Sequence, residues 1–282
     1  MNSTRISALL EPFLEDPLSE SQLNQISIYI DLLQRWNTRI NLTAIRTEEE
    51  IVARHFGESL FLARHVFPPS LNDVARTPSS ANANTAEMPA PPISPNPCHP
   101  ERSHVICEAD AMAESKDPSS TTKSGAPEDP RGSTDHRPPT TDRVLDIGSG
   151  AGFPALPLKI WAPQIHLTLI ESNHKKSAFL KEVSRALTFT NINVIAERAE
   201  TILASRDHPQ AEVVTLRAVE HFETILPQAA TFLAANATLA LLIGTSQLPY
   251  AALQATINWQ PPIPVPGSNT RVLILGCRQE WK

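Results

Sequence analysis

The sequence predicts an α/β protein with a Rossmann-like, mostly parallel central sheet, preceded by a small N-terminal helical region. Three observations carry that prediction. From Asp142 onward, short apolar strand signals alternate with helical ones. A glycine-rich loop, Gly148-Ser149-Gly150-Ala151-Gly152, follows the first of those strands directly. Ahead of residue 68, by contrast, apolar residues recur at helical spacing.

The chain divides into three regions. In residues 1–68, Leu23, Ile26, Ile30 and Leu33 are spaced by three and four, which makes one apolar helix face. Ser19 with Gln22, and Thr47 with Glu50, have the spacing of capping boxes. A second helix is expected over residues 48–65, with Ile51, His55 and either Glu58 or Ser59 near one face. Residues 69–141 are rich in Pro, Ser, Thr, Ala and Asn and lack aromatic residues. Such a segment buries too little surface to offset its ordering entropy, so a disordered insertion is expected. Cys98, His99, His104 and Cys107 within it hold the ligand types of a zinc site. The adjacent Cys-His pair has atypical spacing, and no metal centre is expected.

Residues 142–282 read as βαβ units. Strands are expected over residues 143–147, 166–171, 192–196, 212–216, 238–243 and 271–276, with a helix over 175–187. Right-handed crossovers then stack helices on both faces of the sheet and bring the glycine loop to its carboxyl edge.

Composition bounds the function. A net charge of -6 over 282 residues gives no global basic field, so any nucleic-acid contact must be a local patch. Three cysteines form no secretory framework. No N-terminal leader stands out, and no apolar run reaches the ~20 residues of a membrane span. A soluble, cytoplasmic protein is expected, without membrane association and monomeric by default, since nothing suggests an obligate dimer.

The loop itself narrows the ligand. Free N–H groups and a positive dipole at a helix start suit a nucleotide-type cofactor. The third glycine of a dinucleotide fingerprint would fall at Phe153, and the Lys-Ser/Thr of a P-loop is absent. Asp146, Gly148, Gly150 and Gly152 instead form the D-x-G-x-G-x-G pattern of methyltransferases that use S-adenosylmethionine (SAM). Glu171, after the second strand, is placed to bond ribose hydroxyls. Asp146 is expected to orient the loop through its N–H groups. Ala199 and Glu200, after the third strand, would meet an adenine edge. Arg217, after the fourth, is a cation for the cofactor carboxylate, for Glu200 or for an RNA phosphate.

These residues carry a resemblance. The chain is similar to the glucose-inhibited division protein B family, the small-subunit ribosomal RNA guanine-N7 methyltransferases called RsmG. Trp36-Asn37 with Asn41-Leu42-Thr43 resembles the family's W-N-x-x-x-N-L-T segment. Arg54-His55 with Glu58-Ser59-Leu60 resembles R-H-x-x-D-S-L, and residues 146–154 fit the family's glycine loop. Lys175-Lys176 with Phe179-Leu180, Arg198 with Glu200, and Arg217-Ala218 complete the ordered set. The chain departs from the pattern at Ala155, Glu58 and Leu216, at Ile243 where the family has Lys, and in the long insertion.

The resemblance implies cofactor contacts at Gly148, Phe153, Ala199, Glu200 and Arg217, and 16S rRNA or the small ribosomal subunit as substrate. Arg35, Arg39, Arg46, Arg54, Lys175 and Lys176 are candidates for a basic rim that holds RNA. No residue is assigned as general acid or base, because guanine N7 carries no proton. Trp36 is expected as a packing anchor, Asn37 and Asn41 as braces one helical turn apart, and His55 as a buried partner of Glu58. Two other readings stay open: a small-molecule methyltransferase on the same fold, and a non-catalytic ribosome-assembly binding protein.

Overall fold

In the computed structural model, residues 1–68, 142–219 and 221–278 are described. The expectations for the insertion, including the Cys98–Cys107 cluster, lie outside the described residues.

The N-terminal helices are α1 (Ser3–Leu10), α2 (Glu20–Asn37), α3 (Glu48–Glu50) and α4 (Glu58–Val66). In α2 the Ser19–Gln22 capping box is closed in both directions, and Leu23, Ile26, Ile30 and Leu33 are all buried. Thr47 caps α3 by accepting from the Glu50 N–H at 3.3 Å. The expected helix over residues 48–65 is helical throughout but not uniform. Ile51–Gly57 winds as a π-helix between α3 and α4. That extra residue per turn rotates the Arg54–His55 pair relative to a regular helix, and such turns gather at functional sites.

The second part contributes β1 (Arg143–Ile147), α5 (Ala155–Trp161), β2 (His166–Ile170), α6 (His174–Ala186), β3 (Ile192–Ile195) and α7 (Ala199–Leu203). It continues with β4 (Ala211–Arg217), α8 (Phe222–Thr231), β5 (Leu233–Gly244), α9 (Leu248–Ala252), β6 (Ile257–Trp259), β7 (Ile263–Pro264) and β8 (Arg271–Arg278). The sheet order is β3-β2-β1-β4-β5-β8-β6, with β7 paired to β8. Strands β1 to β5 run parallel, while β8 is antiparallel to β5. The order reverses on either side of β1, so a crevice opens beyond the carboxyl ends of β1 and β4.

Residues 1–68 and the sheet share one core. Ile26, Tyr29, Leu33 and Phe56 pack in the same buried cluster as Phe153, Leu156 and Phe179. Trp36 meets the Phe179 ring edge-on at 5.7 Å, which makes it the expected anchor. Asn37 ends α2 and folds the following turn: its Oδ1 accepts from the Leu42 and Thr43 N–H groups, and its Nδ2 donates to the Thr43 carbonyl. Asn41 lies beyond the helix end, so the pair is not one helical turn apart on α2. Among the described residues no helix is long and apolar enough to cross a membrane.

Candidate cofactor and substrate site

Three glycines shape the loop after β1. Gly148, Gly150 and Gly152 have φ of +70°, +56° and +88°, in the left-handed region that side chains disfavour. They do different work. A Cβ on Gly150 would meet nothing nearer than 3.7 Å, so this turn is open to a ligand. A Cβ on Gly152 would collide with the Tyr29 hydroxyl and Leu156. Gly152 therefore admits helix α2 to the loop; it is absent from the cleft lining.

Two contiguous lobes run across the carboxyl ends of β1 to β4. The larger, of about 520 Å³, is bordered by Gly148, Gly150, Phe153, Glu171, Lys176 and Arg217 on the sheet side. Thr43, Arg54 and His55 from the N-terminal region and Arg271 from β8 also border it. The smaller, of about 310 Å³, is bordered by Gly148, Glu171, Ala199 and Glu200. Gly148 and Glu171 belong to both and form the waist of one elongated cleft.

Glu171 is buried, and its carboxylate is fixed by the loops around it. Oε2 accepts from the Gly150 N–H at 2.8 Å and Oε1 from the Asn173 N–H at 2.7 Å. Each oxygen keeps a second lone pair for a hydroxyl donor. Glu171 thus takes the loop-orienting part expected of Asp146. Asp146 is 1% exposed, does not line the cleft, and accepts from the Thr215 hydroxyl at 2.5 Å. Burial pushes its carboxyl up to about 7, against the opposing pull of the Thr215 bond.

Phe153 sits in an aromatic stack. The Tyr29 and His55 rings both lie nearly parallel to it, with centroids at 5.2 and 4.6 Å, while Phe56 meets it edge-on. The Arg217 guanidinium is 5.9 Å from the same ring. Phe153 borders the cleft, yet its ring is engaged in packing with Tyr29, His55 and Phe56.

Arg217 is the largest departure from expectation. Its side chain is 5% exposed and turned toward the N-terminal region, with no contact to Glu200, which is exposed in the other lobe. Nη2 donates to the Arg54 carbonyl at 2.5 Å and to Glu58 at 3.0 Å, and Nη1 faces His55 Nδ1 at 3.4 Å. Burial lowers its pKa to about 10, which leaves it charged at neutral pH. Glu58 also binds Arg271 through both carboxylate oxygens, at 2.7 and 2.6 Å. So His55 is not the partner of Glu58; two arginines are.

His55 is held neutral. A guanidinium only donates, so Nδ1 must accept and Nε2 carries the proton toward Thr43 Oγ1, 2.8 Å away. Burial, then the charges of Arg217, Arg54 and Arg271, push its pKa down to about 3.

Of the six basic rim candidates, Arg54 and Lys176 border the cleft. Arg35, Arg39, Arg46 and Lys175 are exposed outside it. Lys175 and Lys176 stand in the first turn of α6, where the helix dipole disfavours cations. Ile243 is 3% exposed inside the sheet core, one residue before Gly244 at the strand end. Sequence reasoning missed Tyr29, Thr215 and Arg271. Tyr29 is not among the residues that mark the apolar face, Leu23, Ile26, Ile30 and Leu33, and Arg271 figures only as the first residue of an expected strand.

Comparison with known proteins identifies the family. Residues 22–74 and 134–257 match the family model described as rRNA small subunit methyltransferase G. A protein named ribosomal RNA small subunit methyltransferase G from Chloroflexus aggregans is 30% identical over 270 residues, covering 92% of this chain and 83% of that one. Its namesake from Roseiflexus castenholzii is 29% identical over 267 residues, covering 92% and 84%. Among solved structures, a predicted O-methyltransferase from Agrobacterium tumefaciens superposes with a TM-score of 0.42 at 18% identity, covering 50% of this chain and 76% of that one.

Proposed function

The chain belongs to the rRNA small subunit methyltransferase G family, and on that premise we propose that it methylates N7 of a guanine in 16S ribosomal RNA. It is an enzyme, and its methyl donor is SAM. The observation that carries the reading is the two-lobed cleft with Gly148 and Glu171 at its waist.

The residues present fit this cofactor. Its ribose diol suits the buried Glu171 carboxylate, which has lone pairs to spare. The lobe bordered by Ala199 and Glu200 suits an adenine, with Glu200 as acceptor for the exocyclic amine. Gly148 and Gly150 let backbone approach closely. We assign these five residues to cofactor binding. Phe153, Gly152 and Asp146 support them from behind: the first two by packing the loop on α2, the third by bonding β4.

When bound, the cofactor supplies an electrophilic methyl group on a sulfonium. The chain's own part is alignment. Guanine N7 presents a lone pair and no proton, so the acceptor needs positioning and no base. Neutral His55, locked between Thr43 and Arg217, and sequestered Asp146 both accord with a site that moves no proton. Arg54 and Lys176 at the cleft, and Arg35, Arg39, Arg46 and Lys175 around it, bind RNA phosphates. The base enters unstacked, because side chains cannot read the A-form major groove. A cytoplasmic monomer acting on the small subunit or its RNA completes the proposal. Residues 1–68 and 142–282 form the working parts, with residues 69–141 inserted between them.

The test is transfer from methyl-labelled SAM to unmethylated small subunits and to their extracted RNA. Label in RNA supports the proposal. Label only in small molecules, or cofactor binding without transfer, would refute it.

A further inference from the structure

We propose that Arg271 binds a phosphodiester of the substrate RNA at the nucleotide entering the cleft, held in place for that task by Glu58. The inference rests on reading the cleft as an RNA methyltransferase site.

Arg271 opens β8, opposite Gly244 at the carboxyl end of β5. Because β8 runs antiparallel, its first residue stands at the ligand edge of the sheet. The side chain is 25% exposed and borders the larger lobe beside Arg54 and Ala218. Its Nη1 alone bonds the Glu58 carboxylate, so the other guanidinium donors are left for a ligand.

Charge decides the ligand class. Glu58 carries one negative charge between two guanidiniums, Arg217 and Arg271, so it neutralises only one of them. Arg54 and Lys176 border the same lobe, where Glu171 is the single acid among the described lining residues and already accepts two backbone N–H groups. Arg217 Nε is buried there without a hydrogen-bond partner. The wall is cationic beyond what the chain itself satisfies. A guanine ring is neutral before methylation and cationic after it, so surplus positive charge does not suit the ring. It suits an anion, and a phosphodiester matches a guanidinium fork held at a fixed angle. Arg217 is locked by the Arg54 carbonyl and Glu58 and cannot swing out. Arg271 can present its free edge without leaving Glu58.

The experiment measures methyl transfer to small-subunit RNA against salt for the unaltered chain, Arg271→Ala and Arg271→Lys, with binding of S-adenosylhomocysteine (the demethylated cofactor) measured separately. Loss of Arg271 leaves Glu58 paired to Arg217, so the buried carboxylate is not orphaned. Arg271→Ala should raise KM for RNA about tenfold, change kcat less than about twofold, and reduce the salt slope by about one unit. Arg271→Lys should keep the salt slope and recover part of the KM. Cofactor affinity should hold within about twofold. An unchanged RNA KM and salt slope with a lowered melting temperature would make Arg271 a structural ion pair only and overturn the proposal. So would weakened S-adenosylhomocysteine binding, since the anion would then be the cofactor carboxylate. Absence of RNA methylation by the unaltered chain overturns the functional reading, and this inference with it.

Discussion

Tyr29 lies face to face with Phe153, planes 5° from parallel and centroids 5.2 Å apart, and its hydroxyl donates to the Ala151 carbonyl over 2.5 Å. One side chain of α2 thus holds both the conformation of the glycine loop and the ring that follows it. The N-terminal helices are in this sense a component of the proposed cofactor site, although Tyr29 itself does not border the cleft.

Tyr29→Phe keeps the stack and removes the hydroxyl, leaving a buried carbonyl without its donor. Stability should fall by about 1–2 kcal/mol in urea unfolding, with an unchanged slope. S-adenosylhomocysteine affinity should drop severalfold as the loop loosens. Unaltered affinity would show that the loop keeps its shape without α2.

Two loop glycines should respond differently to alanine. Gly152→Ala combines a left-handed φ with a collision against Tyr29 and Leu156, and should cost about 2–4 kcal/mol of stability. Gly150→Ala meets open space, so only the conformational cost of about 1 kcal/mol applies. Its affinity for the cofactor should nevertheless fall the more steeply of the two, relative to stability lost. Calorimetric melting and ligand titration on both variants check the contrast; equal ratios would contradict it.

Glu58 and Arg217 should be energetically coupled. In a double-mutant cycle with Glu58→Gln and Arg217→Met, the two changes together should cost at least about 1 kcal/mol less than their sum. Each single change leaves a charge of the buried pair poorly matched, and Arg271 compensates only part of that. Additive effects would mean the pair is incidental.

His55 gives a pH signature. Its folded pKa is about 3, below the 6.5 of a free imidazole. Between those values the unfolded chain takes up a proton that the folded chain refuses, so stability from this residue rises with pH over that window and is flat above it. Asp146, raised from 3.8 to about 7, contributes oppositely: its stabilisation is full below 3.8 and fades as pH climbs to 7. The clean observable is therefore the difference between the unaltered chain and His55→Phe, which keeps a ring on Phe153. That difference should grow in favour of the variant as pH falls from 6.5 toward 3. A pH-independent difference would show that His55 titrates normally in the fold.

Much of this architecture is readable in the sequence, and what escapes has a physical pattern. Val144 to Ile147 and Leu167 to Ile170 are short, mostly apolar stretches that read as buried strands in a βαβ pattern, and the structure places strands there. The short strands β6 and β7 carry too few residues for periodicity to register, and β5 begins five residues before the expected position. The π-helix over Ile51–Gly57 has no composition of its own. Side-chain partnerships across long separations are the least legible: Arg217 lies 159 residues from Glu58, and Arg271 lies 213. Sequence placed Arg217 at the mouth of the site, where one strand end puts it, but not which side of that mouth it faces. Likewise Asp146 and Glu171 were both legible as site acids. Which one bonds the loop depends on Thr215, a neighbour on an adjacent strand.

The central claim is methyl transfer to guanine N7, and the position of the methyl group tests it most directly. Methylation at N7 makes the glycosidic bond labile, so borohydride reduction followed by aniline cleaves the RNA chain at that nucleotide. Small-subunit RNA treated with the unaltered chain and SAM should be cut at one guanine, with no cut when Glu171→Gln and Gly150→Ala are combined. Label incorporated into RNA without any such cleavage would place the methyl on another atom and contradict the account.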